Sequence, residues 1–119
     1  VSHHQNVPER LAKNGVINAY HVSLFARLVE RMRTTPDGDG SLLDHSLLLY
    51  GSGMSDGDAH SVHNLPAVLV GGANGQLRGG RHVKAAVDTP VMNLGLSVLQ
   101  MAGAGIARVG DSTGPLAGL

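Results

Sequence analysis

The residues with the clearest chemical potential lie in a glycine-rich loop that follows a short apolar run. Asp56 and His60 are four residues apart, and His63 follows three residues later. A carboxylate oxygen and imidazole nitrogens are ligands that suit zinc or another divalent first-row metal. The glycines of the loop would let the backbone turn sharply and bring these groups together. The spacing favours a divalent-metal site. The alternative is a glycine-rich turn whose Asp and Ser cap local amides while its histidines are solvated.

Two further clusters carry the same kinds of side chain. His3 and His4 are adjacent, and adjacent side chains bind one ion together only where the backbone turns. The alternative for them is an exposed, frayed terminus. Arg81 and His82 follow a Gly-Gly pair, where the guanidinium could bind an oxyanion through two hydrogen bonds and the imidazole could be a late metal ligand. A solvated hairpin tip is the alternative there.

The remaining polar candidates give weaker signals. His21 lies within an apolar helical stripe, which favours a satisfied core residue over a partner that orients a metal ligand. His45 follows Asp44 and is expected to make a turn contact, and Asp111-Ser112-Thr113-Gly114 is expected to form a turn. Neither Ser52 nor Ser55 is marked as an activated nucleophile, since the sequence has no Gly-x-Ser-x-Gly elbow and no phosphate-binding P-loop.

Two helices are predicted from spacing and capping. The first covers residues 9–33, although Gly15 would allow a start near Val16. The second opens with Thr89 as N-cap and Pro90 at its first position, and Gly103 can end it in a left-handed conformation. The first helix is predicted from apolar residues that recur every three or four positions, namely Ile17, Tyr20, Leu24, Phe25, Leu28 and Met32.

Two short apolar runs predict strands at residues 46–50 and 66–70. Consecutive apolar positions are typical of strands buried on both faces, as in a parallel sheet. Strands that alternate with helices predict one α/β domain over residues 1–119, with the loop at 51–64 at the ligand-binding end of its strand. Two strands do not complete such a sheet, so we expect the C-terminal piece of a longer domain or sheet partners from another chain.

Composition excludes several classes of function. The chain has 119 residues, of which 42% are hydrophobic and 15% charged, and its formal charge is zero. This balance argues against a nucleic-acid partner that binds through a polybasic surface. No apolar run approaches the roughly 20 residues that a membrane span needs, and no signal peptide is visible at Val1. Without cysteine, neither a disulfide nor a thiolate metal site is possible.

The order of these elements resembles the C-terminal part of the alkaline phosphatase/sulfatase superfamily core. The resemblance implies a three-layer α/β fold around a parallel sheet. By position, Asp56 matches the metal-binding aspartate of that superfamily, and His82 is placed like its late histidine ligand. Gly57 departs from the pattern, so either His60 or His63 substitutes or the metal site has been lost. The similar segments are Ser46 to Tyr50, Ser55-Asp56-Gly57, Leu65 to Val70, and Asp88-Thr89-Pro90.

A more specific resemblance covers nearly the whole chain. It is to a family of bacterial secreted proteins known as domain of unknown function 1552, whose members are several times longer. This resemblance implies a C-terminal fragment that lacks the N-terminal part of its domain, and residence in the periplasm or outside the cell. It is carried by Ser2-His3-His4-Gln5-Asn6, Tyr50 to Gly57, Asn64-Leu65-Pro66, Gly79-Gly80-Arg81-His82 and Gly110 to Gly114.

The resulting expectation is a metal-dependent hydrolase of phosphate or sulfate esters, which acts on a small anionic ester or a polysaccharide-type substrate. A divalent ion of the zinc or calcium class would polarise the ester, and Arg81 would steady the anion. The fragment alone should be inactive, because it lacks a nucleophile. The alternatives are a non-catalytic metal- or ligand-binding module that keeps the fold, and a purely structural domain. The expected metal ligands are Asp56, His60, His63 and His82, with His3 and His4.

Overall fold

The long helix α1 (Pro8–Thr34) opens the fold in the computed structural model, which describes residues 2–119. Pro8 suits its first turn, where no intrahelical partner for an amide is needed. Glu9 near the start and Arg31 and Arg33 near the end complement the helix dipole. The helix runs through Gly15 unbroken, so its predicted extent is confirmed and the later start is not.

The apolar stripe of α1 is exposed along most of its length. No residue of the helix is buried, and Tyr20, Leu24 and Leu28 all face solvent. The C-terminal half of the helix is attached to the rest of the chain by a stack of Phe25 on Tyr50, with ring centroids 4.7 Å apart and planes 19° from parallel. The expected helix is therefore present, but its expected packing is limited to this end.

A tight hairpin follows α1, with strands β1 (Pro36–Asp37) and β2 (Gly40–Ser41) paired antiparallel. Gly38 adopts a φ of +57° at its tip, which a glycine reaches without steric cost. Downstream, the Asp44 carboxylate accepts hydrogen bonds from the amide and the hydroxyl of Ser41 at 2.8 and 2.7 Å. The hairpin is thus tied to the segment that leads into the next strand.

Strands β3 (Leu48–Gly51) and β4 (Ala67–Val70) form the second sheet, at the places the apolar runs predict. They pair antiparallel, with Leu48 opposite Val70 and Gly51 opposite Ala67. The prediction that these strands are parallel is therefore wrong, and residues 2–119 contain two small antiparallel sheets within a mixed α/β arrangement. They do not contain a parallel three-layer core.

The connection between β3 and β4 explains the direction of pairing. A parallel pair needs a crossover, usually a helix, whereas residues 52–66 fold back on themselves. The Ser55 amide donates to the Ser61 carbonyl at 2.9 Å, and the Ser61 amide donates to the Asp56 carbonyl at 3.0 Å. The loop therefore returns the chain beside β3. Burial alternates along β3, as is typical of an antiparallel strand with one open face.

Two glycines after β4 allow a close approach of two backbones. A Cβ at Gly71 would collide with the carbonyl oxygen of Ser46, and one at Gly72 would collide with that of Asp44. The Gly72 amide donates to the Leu43 carbonyl at 2.9 Å. Gly71 also has a φ of +119°, which side chains rarely adopt. Only glycine fits this junction, which holds the segment after β4 against the segment before β3.

Helix α2 (Val91–Met101) begins one residue later than expected, with Pro90 at its N-cap, and Gly103 follows it at a φ of +88°. Its buried face mixes Leu96 with Asn93 and Ser97. The Asn93 side chain donates to the Thr113 hydroxyl at 3.1 Å and accepts from the Thr113 amide at 2.8 Å. The Ser97 hydroxyl accepts from the Leu116 amide at 2.8 Å. These bonds attach the C-terminal tail to α2.

Apolar burial is sparse among the described residues. Leu96 and Ala73 are the buried hydrophobic residues in this part of the chain. Over the same residues, neither helix combines the length and the apolar character that crossing a bilayer requires.

Gly71→Ala should destabilise the fold by at least about 1–3 kcal/mol, because alanine is strained at this φ and its methyl group meets the Ser46 carbonyl. Urea denaturation would measure the loss. Gly79→Ala is the matched control, since a Cβ there has no neighbour within 4 Å, and we expect no loss of stability. Equal midpoints for the two variants would contradict the junction described here.

Candidate functional site

The loop between β3 and β4 meets the N-terminal segment of the chain. We call His3, His4, Asp56 and His60 the histidine cluster. The ring of His3 contacts the ring of His60 edge-to-face, with centroids 4.9 Å apart. Nε2 of His4 lies 3.8 Å from Oδ1 of Asp56. Two pairs of the residues that the sequence nominates as metal ligands are therefore in contact, and each pair joins the N-terminal segment to the loop.

Backbone contacts hold the N-terminal segment in this place. The Gln5 amide donates to Oδ1 of Asp58 at 2.9 Å. Ser2 packs over Gly57, and a Cβ added at that glycine would lie 3.2 Å from the Cβ of Ser2. The absence of a side chain at position 57 thus leaves the space in which the N-terminal segment lies. Of the two histidines for which an exposed terminus is the alternative, His3 is exposed and His4 is buried.

The Asp56 carboxylate is held by its own loop. Oδ1 accepts hydrogen bonds from the amides of Asp58 at 2.8 Å and Ala59 at 3.2 Å. These two bonds, with a smaller effect of the nearby His4, lower the pKa of the Asp56 carboxyl below its ordinary value. The carboxylate is therefore ionised at neutral pH, and its side chain is 47% exposed.

His4 is buried, with 7% of its surface exposed. Its Nδ1 accepts a hydrogen bond from the Asn6 amide at 3.1 Å. A neutral imidazole that accepts at Nδ1 carries its proton on Nε2, so an N–H group faces the Asp56 carboxylate. A histidine that binds a metal through one nitrogen normally donates from the other. In this arrangement neither nitrogen of His4 offers a lone pair to a cation.

The cluster suits a metal in the kind of its donors but not in their number. Among residues 2–119, Oδ2 of Asp56 and the rings of His3 and His60 have no hydrogen-bond partner. One carboxylate with imidazoles is a zinc-type set, whereas calcium takes six to eight oxygen ligands. Over the same residues, no three His, Cys, Asp or Glu side chains form a group that could hold a metal ion. Further ligands would have to complete the site.

The other two nominated imidazoles lie apart from these contacts. His63 and His82 are both exposed, and neither makes any of the contacts that build the histidine cluster. The expected convergence of Asp56, His60 and His63 on one point is not found. Their roles as metal ligands stay predictions.

Arg81 is partly committed to the backbone. Its Nε donates to the Arg78 carbonyl at 2.9 Å, and its Nη1 donates to the Gly118 carbonyl at 3.1 Å. These bonds connect the loop at residues 78–81 to the C-terminal tail. Since a guanidinium has five donors, oxyanion binding by the others stays a prediction.

The serines of the loop are engaged locally. The Ser52 hydroxyl donates to the Met54 carbonyl at 2.7 Å and accepts from the Met54 amide at 3.2 Å. The Ser55 hydroxyl faces the Ser61 carbonyl at 3.4 Å. These contacts satisfy local backbone groups, and neither hydroxyl is hydrogen-bonded to an imidazole among the described residues.

Two predictions outside the cluster have different outcomes. His21 is exposed on α1, so the core placement expected for it is wrong. The outward face of the stripe explains this, because most of α1 packs against nothing within residues 2–119. The tail motif at residues 111–114 is a turn, as expected, and Ser112 is buried there with its hydroxyl accepting from the Val109 amide at 2.8 Å.

His45, just before β3, contacts two carboxylates of the β1–β2 hairpin that the sequence analysis does not predict as its partners. Its Nδ1 lies 3.0 Å from Oδ2 of Asp37, and its Nε2 lies 3.2 Å from Oδ1 of Asp39. The hydrogen bond with Asp37 is the main cause that raises the pKa of His45 above its ordinary value near 6.5. The turn contact expected for His45 is confirmed. Its two carboxylate partners could have been found from the Asp-Gly-Asp-Gly pattern of the hairpin.

Comparisons with models of protein families, with curated proteins and with solved structures each returned no match. The resemblance to domain of unknown function 1552 and to the alkaline phosphatase/sulfatase superfamily therefore stays a prediction.

The two carboxylates around His45 predict a pH dependence of stability. Because folding raises the pKa of His45, its contribution is present in full below the unfolded value and is lost as pH rises through the folded value. From about pH 6 to about pH 9, the wild-type chain should lose more thermal stability than His45→Gln does. Differential scanning calorimetry at several pH values would measure this. His21→Gln is the control and should follow the wild type, while parallel curves for wild type and His45→Gln would exclude this role of His45.

Proposed function

We propose that this chain supplies some of the ligands of a divalent-cation site in an exported hydrolase of phosphate or sulfate esters. The observation that carries the proposal is that the N-terminal segment meets the loop after β3 through two pairs of side chains, in which His4 lies beside the ionised Asp56 carboxylate and His3 contacts His60. The proposal extends the resemblance described above, which supplies both the reaction class and the exported location.

The charge of the cluster favours a cation over direct binding of an anionic ester. The low pKa of Asp56 keeps its carboxylate ionised. The negative carboxylate repels an anionic ester that comes within a few ångströms of it. An anionic ester can therefore approach Asp56 only if a positive charge lies between the ester and the carboxylate. A bound divalent cation would polarise the ester and stabilise the charge that develops on its oxygens.

The residues of this chain have separate roles in the proposed site. Asp56 would hold the cation through Oδ2, because Oδ1 already accepts the amides of Asp58 and Ala59. His3 and His60 would add nitrogen ligands. The donors of Arg81 that do not bond the backbone are available to orient an ester oxygen.

The rest of the proposed site would come from the N-terminal part of the same domain. The loop serines are engaged with backbone groups, so the nucleophile would be supplied from elsewhere. The exposed apolar residues of α1, among them Tyr20, Leu24 and Leu28, offer that part a surface to cover. This division of the site accounts for a cluster that has suitable donors but too few of them.

A non-catalytic binding module is the second candidate, and two observations favour it. Position 57 has no side chain to contribute, and Ser2 occupies the adjacent space. Arg81 uses two of its donors for the Arg78 and Gly118 carbonyls. Such a module would keep a polar or cationic ligand at the histidine cluster without turnover.

Asp56→Asn should weaken zinc binding by the intact protein at least about tenfold, because the neutral amide loses the charge that attracts the cation. Titration calorimetry with Zn²⁺ would measure the affinity, and hydrolysis of a panel of phosphate and sulfate monoesters would measure turnover. Asp88→Asn is the matched control, since Asp88 is exposed and its φ of +61° suits asparagine.

The outcomes separate the two candidates. Stoichiometric zinc with ester turnover, both lost in Asp56→Asn and kept in Asp88→Asn, supports the hydrolase. Zinc binding without turnover on the whole panel supports the module. If the wild-type protein binds no zinc, or if Asp56→Asn binds it unchanged, a cation site at Asp56 is excluded.

A further inference from the structure

His4 differs from the other six histidines in its surroundings. It is the one buried imidazole among the described residues, although it lies only two residues after the first described position. Burying a polar ring so close to a terminus requires partners that compensate for the loss of water. The Asn6 amide satisfies Nδ1, and the Asp56 carboxylate faces Nε2.

All the contacts made to the Asp56 carboxylate converge on one of its two oxygens. Oδ1 accepts the amides of Asp58 and Ala59 and lies 3.8 Å from Nε2 of His4. Two loop amides thus hydrogen-bond Oδ1, and Nε2 of His4 from the N-terminal segment faces the same oxygen from beyond hydrogen-bond distance. A carboxylate fixed through one oxygen has its orientation set while the other oxygen is left for a ligand.

The N-terminal segment can deliver His4 only because the loop leaves room for it. Ser2 lies against Gly57, and the Gln5 amide bonds Asp58. Gln5 and Asn6 have φ values of +52° and +54°, so the chain turns sharply directly after His4. This turn is what places the Asn6 amide on Nδ1 and thereby fixes the proton of the neutral ring on Nε2.

We infer that His4 is a positioning residue, whose Nε2 faces Oδ1 of Asp56 at 3.8 Å, attracts the carboxylate electrostatically and leaves Oδ2 to bind the cation. This inference rests on the proposed function for the identity of the ligand, while the role of His4 toward the carboxylate stands on the contacts above. It differs from the sequence-based expectation, in which His4 is itself a metal ligand.

His4→Leu and His4→Gln distinguish this role from simple filling of space. Leucine fills the buried position without an N–H group, whereas glutamine keeps a donor that can reach Asp56. Zinc affinity of the intact protein, measured by titration calorimetry, should fall about 10–100-fold in His4→Leu and should be largely restored in His4→Gln. His21→Leu, the same change at an exposed position of α1, should bind zinc as the wild type does.

A second measurement needs no metal. The amides of Asp58 and Ala59 donate to the oxygen that His4 faces, so their hydrogen–deuterium exchange reports how firmly the carboxylate is held. In the metal-free protein, exchange at these amides should be several-fold faster in His4→Leu than in the wild type, and close to the wild type in His4→Gln and His21→Leu.

Each result decides one question. If the wild type binds no zinc, the proposed function fails and amide exchange alone decides the role of His4. Wild-type exchange at Asp58 and Ala59 in His4→Leu would overturn the inference. Equal losses in His4→Leu and His4→Gln would overturn it as well, because the ring would then act through its shape and not through its N–H group.

Discussion

The antiparallel ladder of β3 and β4 is the constraint on which the candidate site depends. It fixes both ends of the loop at 52–66, and the Ser52 amide extends the ladder by donating to the Pro66 carbonyl at 3.3 Å. Gly51 permits this closure, since a Cβ there would lie 2.7 Å from the same carbonyl oxygen. With its base closed, the loop has to bulge outward and present Asp56 to the N-terminal segment. Parallel strands would have carried the chain away from this edge.

One ionised carboxylate lies where the loop after β3 meets the N-terminal segment. The loop amides stabilise the charge on Asp56, and the N-terminal segment adds a buried imidazole beside it. Because these contacts address a single oxygen, the carboxylate has a fixed orientation and its second oxygen has no hydrogen-bond partner among the described residues. Asn93 likewise makes several contacts through one side chain, which both donates to and accepts from Thr113. In a chain with little apolar burial, such polar contacts carry much of the tertiary structure.

The sequence predicts the elements of this fold better than their arrangement. Periodicity locates α1, capping residues locate α2 to within one residue, and apolar runs locate β3 and β4. An apolar run does not show, however, whether two strands pair parallel or antiparallel. Predicting the antiparallel pairing requires the turn geometry of residues 52–66. Spacing also cannot show that His4, fifty-two positions before Asp56, lies beside it. That proximity follows from long-range packing over Gly57, which no local pattern encodes.

The exposed stripe of α1 has a consequence for how the chain melts. A helix of 27 residues with no buried residue depends on its own backbone hydrogen bonds, and without tertiary packing the stability of a helix in water is low and falls with temperature. The stack of Phe25 on Tyr50 anchors its second half, while its first half has no comparable anchor among the described residues. On heating, far-ultraviolet circular dichroism would therefore record a gradual loss of ellipticity as the first half of α1 unfolds. A sharper transition would follow when the segments joined at Gly71 and Gly72 separate. A single melting temperature would describe neither event.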